Sequence, residues 1–82
     1  MKKITILIHC IDQSGIIAAV TNFIASKNGN IVYIDQHVDQ EQEVFFMRLE
    51  GEFDTESYNN TDFSTQFQQE IAQKFNMNWE LH

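Results

Sequence analysis

The chain has 82 residues, with twelve Asp and Glu against five Lys and Arg and a formal charge of −7, so it lacks the basic footprint that nucleic-acid and anionic-membrane binding require. At this length it is one domain that buries only about 60% of the surface its unfolded chain exposes, so a partner or second domain would help to stabilise it. No apolar run approaches the roughly 18 residues of a membrane span, and the short apolar stretch after Met1-Lys2-Lys3 stops at His9 and does not read as a signal peptide; the single Cys10 fits a reducing cytoplasm.

Residues 3 to 10 alternate, with Ile4, Ile6, Ile8 and Cys10 on one face and Thr5, Leu7 and His9 on the other, which predicts a mostly buried central strand. From Gly15 the apolar spacing becomes Ile16, Ile17, Val20, Phe23 and Ile24, one stripe of an α-helix, with Ser14 as its N-cap and Lys27 and Gly29 as stop signals. Asn30 to Asp39 is rich in β-branched residues and predicts a second strand. Gln40-Glu41-Gln42 then turns into a third, Glu43 to Phe53, with Phe45, Met47 and Leu49 on one face and Val44, Phe46 and Arg48 on the other.

Asp54 to Asn60 predicts a loop. A second helix starts near Thr61 or Asp62, with Phe63, Phe67, Ile71 and Phe75 at strict four-residue spacing as its buried stripe. The last six residues alternate again, predicting a fourth strand with Met77, Trp79 and Leu81 inward. The order is β-α-β-β-α-β, a ferredoxin-like α+β fold in which a four-stranded antiparallel sheet carries two helices on one face, with strands 1 and 3 in the middle. Without repeats or a linker, residues 1 to 82 form a single domain.

The turn from Ile11 to Gly15 aims backbone N–H groups at a helix start and sets no nucleophile or base beside them, which points to small-molecule sensing before catalysis. It also lacks the Arg that an acylphosphatase-like phosphate site on the same fold needs. His9 and Cys10, adjacent in a strand, face opposite sides and cannot pair, so Cys10 reads as a small core residue. His37 lies between Asp35 and Asp39 on one strand face, but same-face neighbours about 7 Å apart suit a solvated or interface-facing polar row better than a metal. Neither a cofactor nor a metal is expected in this segment.

Asp12-Gln13-Ser14-Gly15 and Gly29-Asn30-Ile31 resemble the D-x-P-G turn and G-N-I strand start of ACT domains, the amino-acid-sensing modules of metabolic enzymes. Asp35-Gln36-His37-Val38-Asp39, Phe45-Phe46-Met47-Arg48 and Phe75-Asn76-Met77-Asn78-Trp79 narrow this: together they resemble the N-terminal ACT segment of the formyltetrahydrofolate deformylase family. Those hydrolases split 10-formyltetrahydrofolate into formate and tetrahydrofolate, in one-carbon and purine metabolism. The resemblance implies that a catalytic domain follows C-terminally, with its Asn, His and Asp set outside this chain, so that no catalytic residue lies here. It further implies regulation by a small amino acid, methionine or glycine.

On that implication the site comprises Asp12, Ser14, Gly15, Ile16, Asn30 and Ile31. The N–H groups around Gly15 and Ile16 suit the ligand carboxylate, Asp12 its ammonium, and Asn30 of a neighbouring subunit either end; the competing reading makes Asp12 a cap and Asn30 a residue tolerating left-handed geometry after Gly29. Ser14 stands where the family pattern has proline, and Cys10 where some serine-binding members carry histidine. Pairing into at least a homodimer is expected, with Phe46 and Val44 offering apolar area on the second sheet face. The alternative is a free-standing ACT regulator similar to the glycine cleavage system repressor, acting by protein binding, and a further domain of roughly 200 residues after His82 would discriminate the two.

Overall fold

A computed structural model describes every residue from Met1 to His82. The elements are β1 (Lys2–Ile11), α1 (Ile16–Ser26), β2 (Asn30–Asp39), β3 (Val44–Phe53), α2 (Asn60–Phe67), a π-helical turn (Gln68–Ala72), a last helical turn α3 (Gln73–Phe75) and β4 (Asn78–Leu81). They form one four-stranded antiparallel sheet in the order β2-β3-β1-β4, so β1 and β3 are central as their two-faced patterns predict.

The inner face carries the core. Ile4, Ile6, Ile8 and Cys10 of β1 and Phe45, Met47, Leu49 and Phe53 of β3 meet Ile16, Val20, Phe23 and Ile24 of α1 and Phe63, Phe67, Ile71, Ala72 and Phe75 of the second helix. Fully burying one such aliphatic side chain stabilises the fold by roughly 1.5–3 kcal/mol. Phe23 meets Phe63 and Phe67 edge-on, with centroids 5.4 Å apart in both pairs, which locks the two helices together. Met77, Trp79 and Leu81 are half-buried against this core. No helix is long and apolar enough to cross a membrane.

Four expectations need correction. Ser14 does not cap α1: Gly15 holds the N-cap position with φ 88°, and no side chain caps the helix. A Ser cap needs extended backbone at the cap itself, whereas this turn closes through left-handed geometry that favours glycine. The residue with positive φ after α1 is Asn28 (φ 62°), not Gly29 or Asn30. Gly29 is required for space, since a Cβ there would lie 2.5 Å from Phe53 Cε1 and 2.8 Å from Ile24 Cγ2.

Ile17 is 41% exposed and lies off the buried stripe of α1, on the side of the helix that faces Val38 of β2 across an open hollow. Glu43 has φ 58° and belongs to the hairpin turn, whose Asp39 carboxylate accepts the Glu41 and Gln42 N–H groups at 3.1 and 3.3 Å; β3 therefore starts at Val44.

The second helix holds its predicted stripe by changing its winding. Residues four apart on an α-helix overshoot a full turn by about 40°, so three such steps would carry Phe75 about 120° away from Phe63. The π turn at Gln68–Ala72 takes up the excess, and all four stripe residues are buried. Asn76 (φ 54°) ends the helix, with the Met77 N–H donating to the Ala72 carbonyl at 2.9 Å. At the other end, Asn59 caps α2 by accepting from the Asp62 N–H at 2.9 Å.

Candidate functional site

The turn between β1 and α1 builds a small hollow. Asp12, Gly15, Ile16, Ile17 and Ala18 line it from the turn and helix, and Gln36, Val38 and Phe45 line it from the sheet, around a volume of about 310 Å³. At the start of a helix the N–H groups of Ile16, Ile17 and Ala18 have no intrahelical acceptor, and no side chain supplies one. Gly15 leaves open space beside its Cα, with nothing within 4 Å of where a Cβ would sit. This corner can therefore receive a carboxylate on backbone donors.

Asp12 is exposed; its N–H is spent on the Glu43 carbonyl at 2.7 Å, and neither of the two ion pairs in the chain involves it. Its carboxylate is free to face an ammonium. Burial, with a smaller contribution from the negative charge of Asp12, raises the Cys10 thiol above its ordinary 9.0, which keeps it neutral and unreactive.

Asp12, Gly15 and Ile16 thus come together, while Ser14 does not line the hollow. Asn30 and Ile31 lie at the other end of β2, paired with Glu52 and Gly51, so six residues of strand, about 20 Å, separate Asn30 from Gln36. Ile31 is half-buried against the core. Within one chain these two residues do not meet the turn.

One supporting residue was not singled out in the sequence. The Gln13 amide donates to the Ile11 carbonyl at 3.0 Å and to the Phe75 carbonyl at 3.1 Å, tying the turn to the end of α3. The second contact spans 62 residues, and no local pattern announces it.

The outer sheet face, away from the helices, is a shallow concavity of about 620 Å³. Cross-strand pairing aligns its side chains in rows. His37, Phe46, His9 and Asn78 form one row, and Asp35, Arg48, Leu7 and Glu80 the next. Phe46 is sandwiched in the plane of the sheet between two imidazoles, 5.0 Å from His37 and 6.0 Å from His9, and is 37% exposed. Arg48 turns away from Asp35 and pairs with Glu50 at 3.3 Å. Asp35, His37 and Asp39 stand opposite Arg48, Phe46 and Val44 along the length of β2.

Comparison with known proteins gives these features a context. Residues 4–57 match the ACT domain family. The chain is 32% identical over 78 residues to a formyltetrahydrofolate deformylase of Synechocystis, covering 95% of this chain and 27% of that protein. The crystal structure of a formyltetrahydrofolate deformylase from Pseudomonas syringae superposes with a TM-score of 0.89 at 38% identity, over 98% of this chain and 26% of that one. A putative glycine cleavage system transcriptional repressor shares the fold alone, with a TM-score of 0.80 at 14% identity over 98% and 44% of the two chains. The chain therefore spans about a quarter of the length of the deformylases it matches.

Proposed function

The chain belongs to the ACT domain family, with homology to the N-terminal region of formyltetrahydrofolate deformylases, and from that premise we propose that it is the amino-acid-binding regulatory segment of such a hydrolase. The catalytic domain that converts 10-formyltetrahydrofolate to formate and tetrahydrofolate follows it in the full protein. This segment serves one-carbon and purine metabolism by sensing, not by catalysis.

The observation that carries the reading is the uncapped start of α1 beneath left-handed Gly15, beside the unpaired carboxylate of Asp12. A small amino acid, methionine or glycine, places its carboxylate on the N–H groups of Ile16 to Ala18 and its ammonium toward Asp12. A hollow of about 310 Å³ accommodates either ligand.

Asn30 completes the site from a second copy. β2 is an edge strand, and two β2 edges paired antiparallel about their midpoint set Asn30 of the partner subunit opposite Asp39 of the first, next to Val38 of the hollow. Ligand binding then favours one relative orientation of the subunits, a coupling of typically about 1–3 kcal/mol.

Titration calorimetry of the 82-residue chain with methionine and with glycine tests this. Saturable heat with one ligand, lost in Asp12→Ala and Asn30→Ala, is the expected result. No heat from either ligand overturns the sensing role and leaves a domain for assembly.

A further inference from the structure

Two residues tie the turn between β1 and α1 to distant parts of the chain. On one side the Asp12 N–H donates to the Glu43 carbonyl of the hairpin at 2.7 Å. On the other, the Gln13 amide divides its N–H donors between the Ile11 carbonyl at 3.0 Å and the Phe75 carbonyl at 3.1 Å. Gln13 also lines the hollow, between the carboxylate of Asp12 and the left-handed Gly15 that opens the helix start. A side-chain amide is planar and has two N–H donors in fixed directions. With both engaged, Gln13 is a strut from the hollow to the end of α3 and not a freely turning surface group.

The far end of this strut is where the chain changes course. Phe75 is the last residue of α3, and the last carbonyls of a helix have no intrahelical donor. The carbonyls before it are satisfied locally: the Met77 N–H donates to Ala72 and the Asn76 N–H to Gln73. Phe75 is served instead from the turn, 62 residues away. Its ring is buried in the core, Asn76 follows in left-handed geometry, and β4 begins at Asn78. β4 is four residues long and bonds to β1 alone, which makes it one of the segments that opens most readily. The placement of the Phe75 carbonyl therefore governs how β4 enters the sheet.

We propose that Gln13 is a positioning residue that couples occupancy of the hollow to the seating of β4, a role that rests on the amino-acid reading of that site. A carboxylate on the N–H groups of Ile16 to Ala18 and an ammonium at Asp12 fix the backbone on both sides of Gln13. The ordering its amide needs is then already met. Bound ligand tightens β4, and by reciprocity a loosened β4 weakens the ligand by the same factor.

The single tryptophan reports on this coupling. Trp79 lies in β4, outside the hollow, with its ring 4.6 Å from Phe67 and its indole N–H donating to Gln68 at 2.7 Å. Hydrogen exchange of the β4 amides, Trp79 fluorescence, and titration with methionine and with glycine are compared in wild type and Gln13→Ala. Gln13→Ala is expected to keep the far-ultraviolet circular dichroism of the fold and to speed β4 exchange about threefold to tenfold, as the loss of one ordinary hydrogen bond does, with the β2–β3 ladder unchanged. In wild type the bound amino acid shifts Trp79 emission. In Gln13→Ala it binds about threefold to tenfold more weakly and no longer shifts it. A plain helix cap would speed exchange yet leave affinity and the emission shift intact, and that result overturns the proposal, as does unchanged β4 exchange.

A ligand-free arm separates this coupling from the sensing role. Gly15→Ala strains the turn at φ 88° without meeting any atom, and it is expected to speed β4 exchange when Gln13 is present and to add nothing in Gln13→Ala. If neither amino acid gives heat, the sensing role falls, and this pair of variants still decides the strut: a non-additive effect keeps the link between turn and strand, and an additive one overturns it.

Discussion

Gly15 and Gly29 are both glycine for different reasons, and substitution separates them. At Gly15 an added methyl meets no atom, but φ 88° strains any L-residue, so Gly15→Ala is expected to cost about 1 kcal/mol in urea unfolding. At Gly29 the methyl would fall within 3 Å of Phe53 and Ile24, so Gly29→Ala is expected to cost more, about 1–3 kcal/mol with a disturbed aromatic cluster. Equal losses at the two positions would contradict this assignment. Cys10 sets an alkaline limit. Its folded pKa is raised, so above pH 9.0 the unfolded chain releases the thiol proton while the folded chain retains it, and stability falls as pH rises. Half-buried Tyr58, raised by that burial above its ordinary 10.0, extends the same trend to higher pH. Denaturation followed from neutral pH upward should show the decline beginning near pH 9, and Cys10→Ala should remove its first part.

The elements show how far the sequence could be read and where it stopped. Alternation in β1 and β3 declared the inner and outer faces correctly, because period-two burial is a local property. The strict four-residue spacing of Phe63, Phe67, Ile71 and Phe75 was legible as a buried stripe, and its mismatch with 3.6 residues per turn already contained the π turn. Which residues stand opposite each other on the outer face was not legible, because the hairpin turn and the bulge between Ile31 and Tyr33 set the register. Asp12, Gly15 and Ile16 could be grouped from their nearness in sequence, whereas the hold of Gln13 on Phe75 depends on tertiary contact. If the π turn is an inserted residue, deleting exposed Gln69 restores four-three-four spacing of the stripe. That deletion is expected to keep the fold and change stability by less than about 1 kcal/mol, and a loss of several kcal/mol would contradict this account.

At the scale of the molecule, β2 is the least buried strand of the sheet. Its inner-face residues Ile34 and Val38 are 41% and 36% exposed, and Val38 shares the hollow with Ile17 of α1. A ten-residue edge strand with apolar side chains is a template for pairing. Ile34→Lys should therefore reduce edge association in sedimentation without unfolding the chain, since the side chain lies outside the core; unchanged association would remove the edge from the assembly.

The N–H and carbonyl of His82 both bond to Thr5, at 2.8 and 2.9 Å, so β4 finishes alongside the opening residues of β1 at one end of the sheet. Tension applied between the two chain ends would fall on these bonds first. It would peel β4 from β1 rung by rung like a zipper, without loading the whole ladder in shear. The seam between these strands is the mechanical fuse of the domain, while the β1–β3 ladder and the hollow beside Gly15 stay unloaded until it has opened.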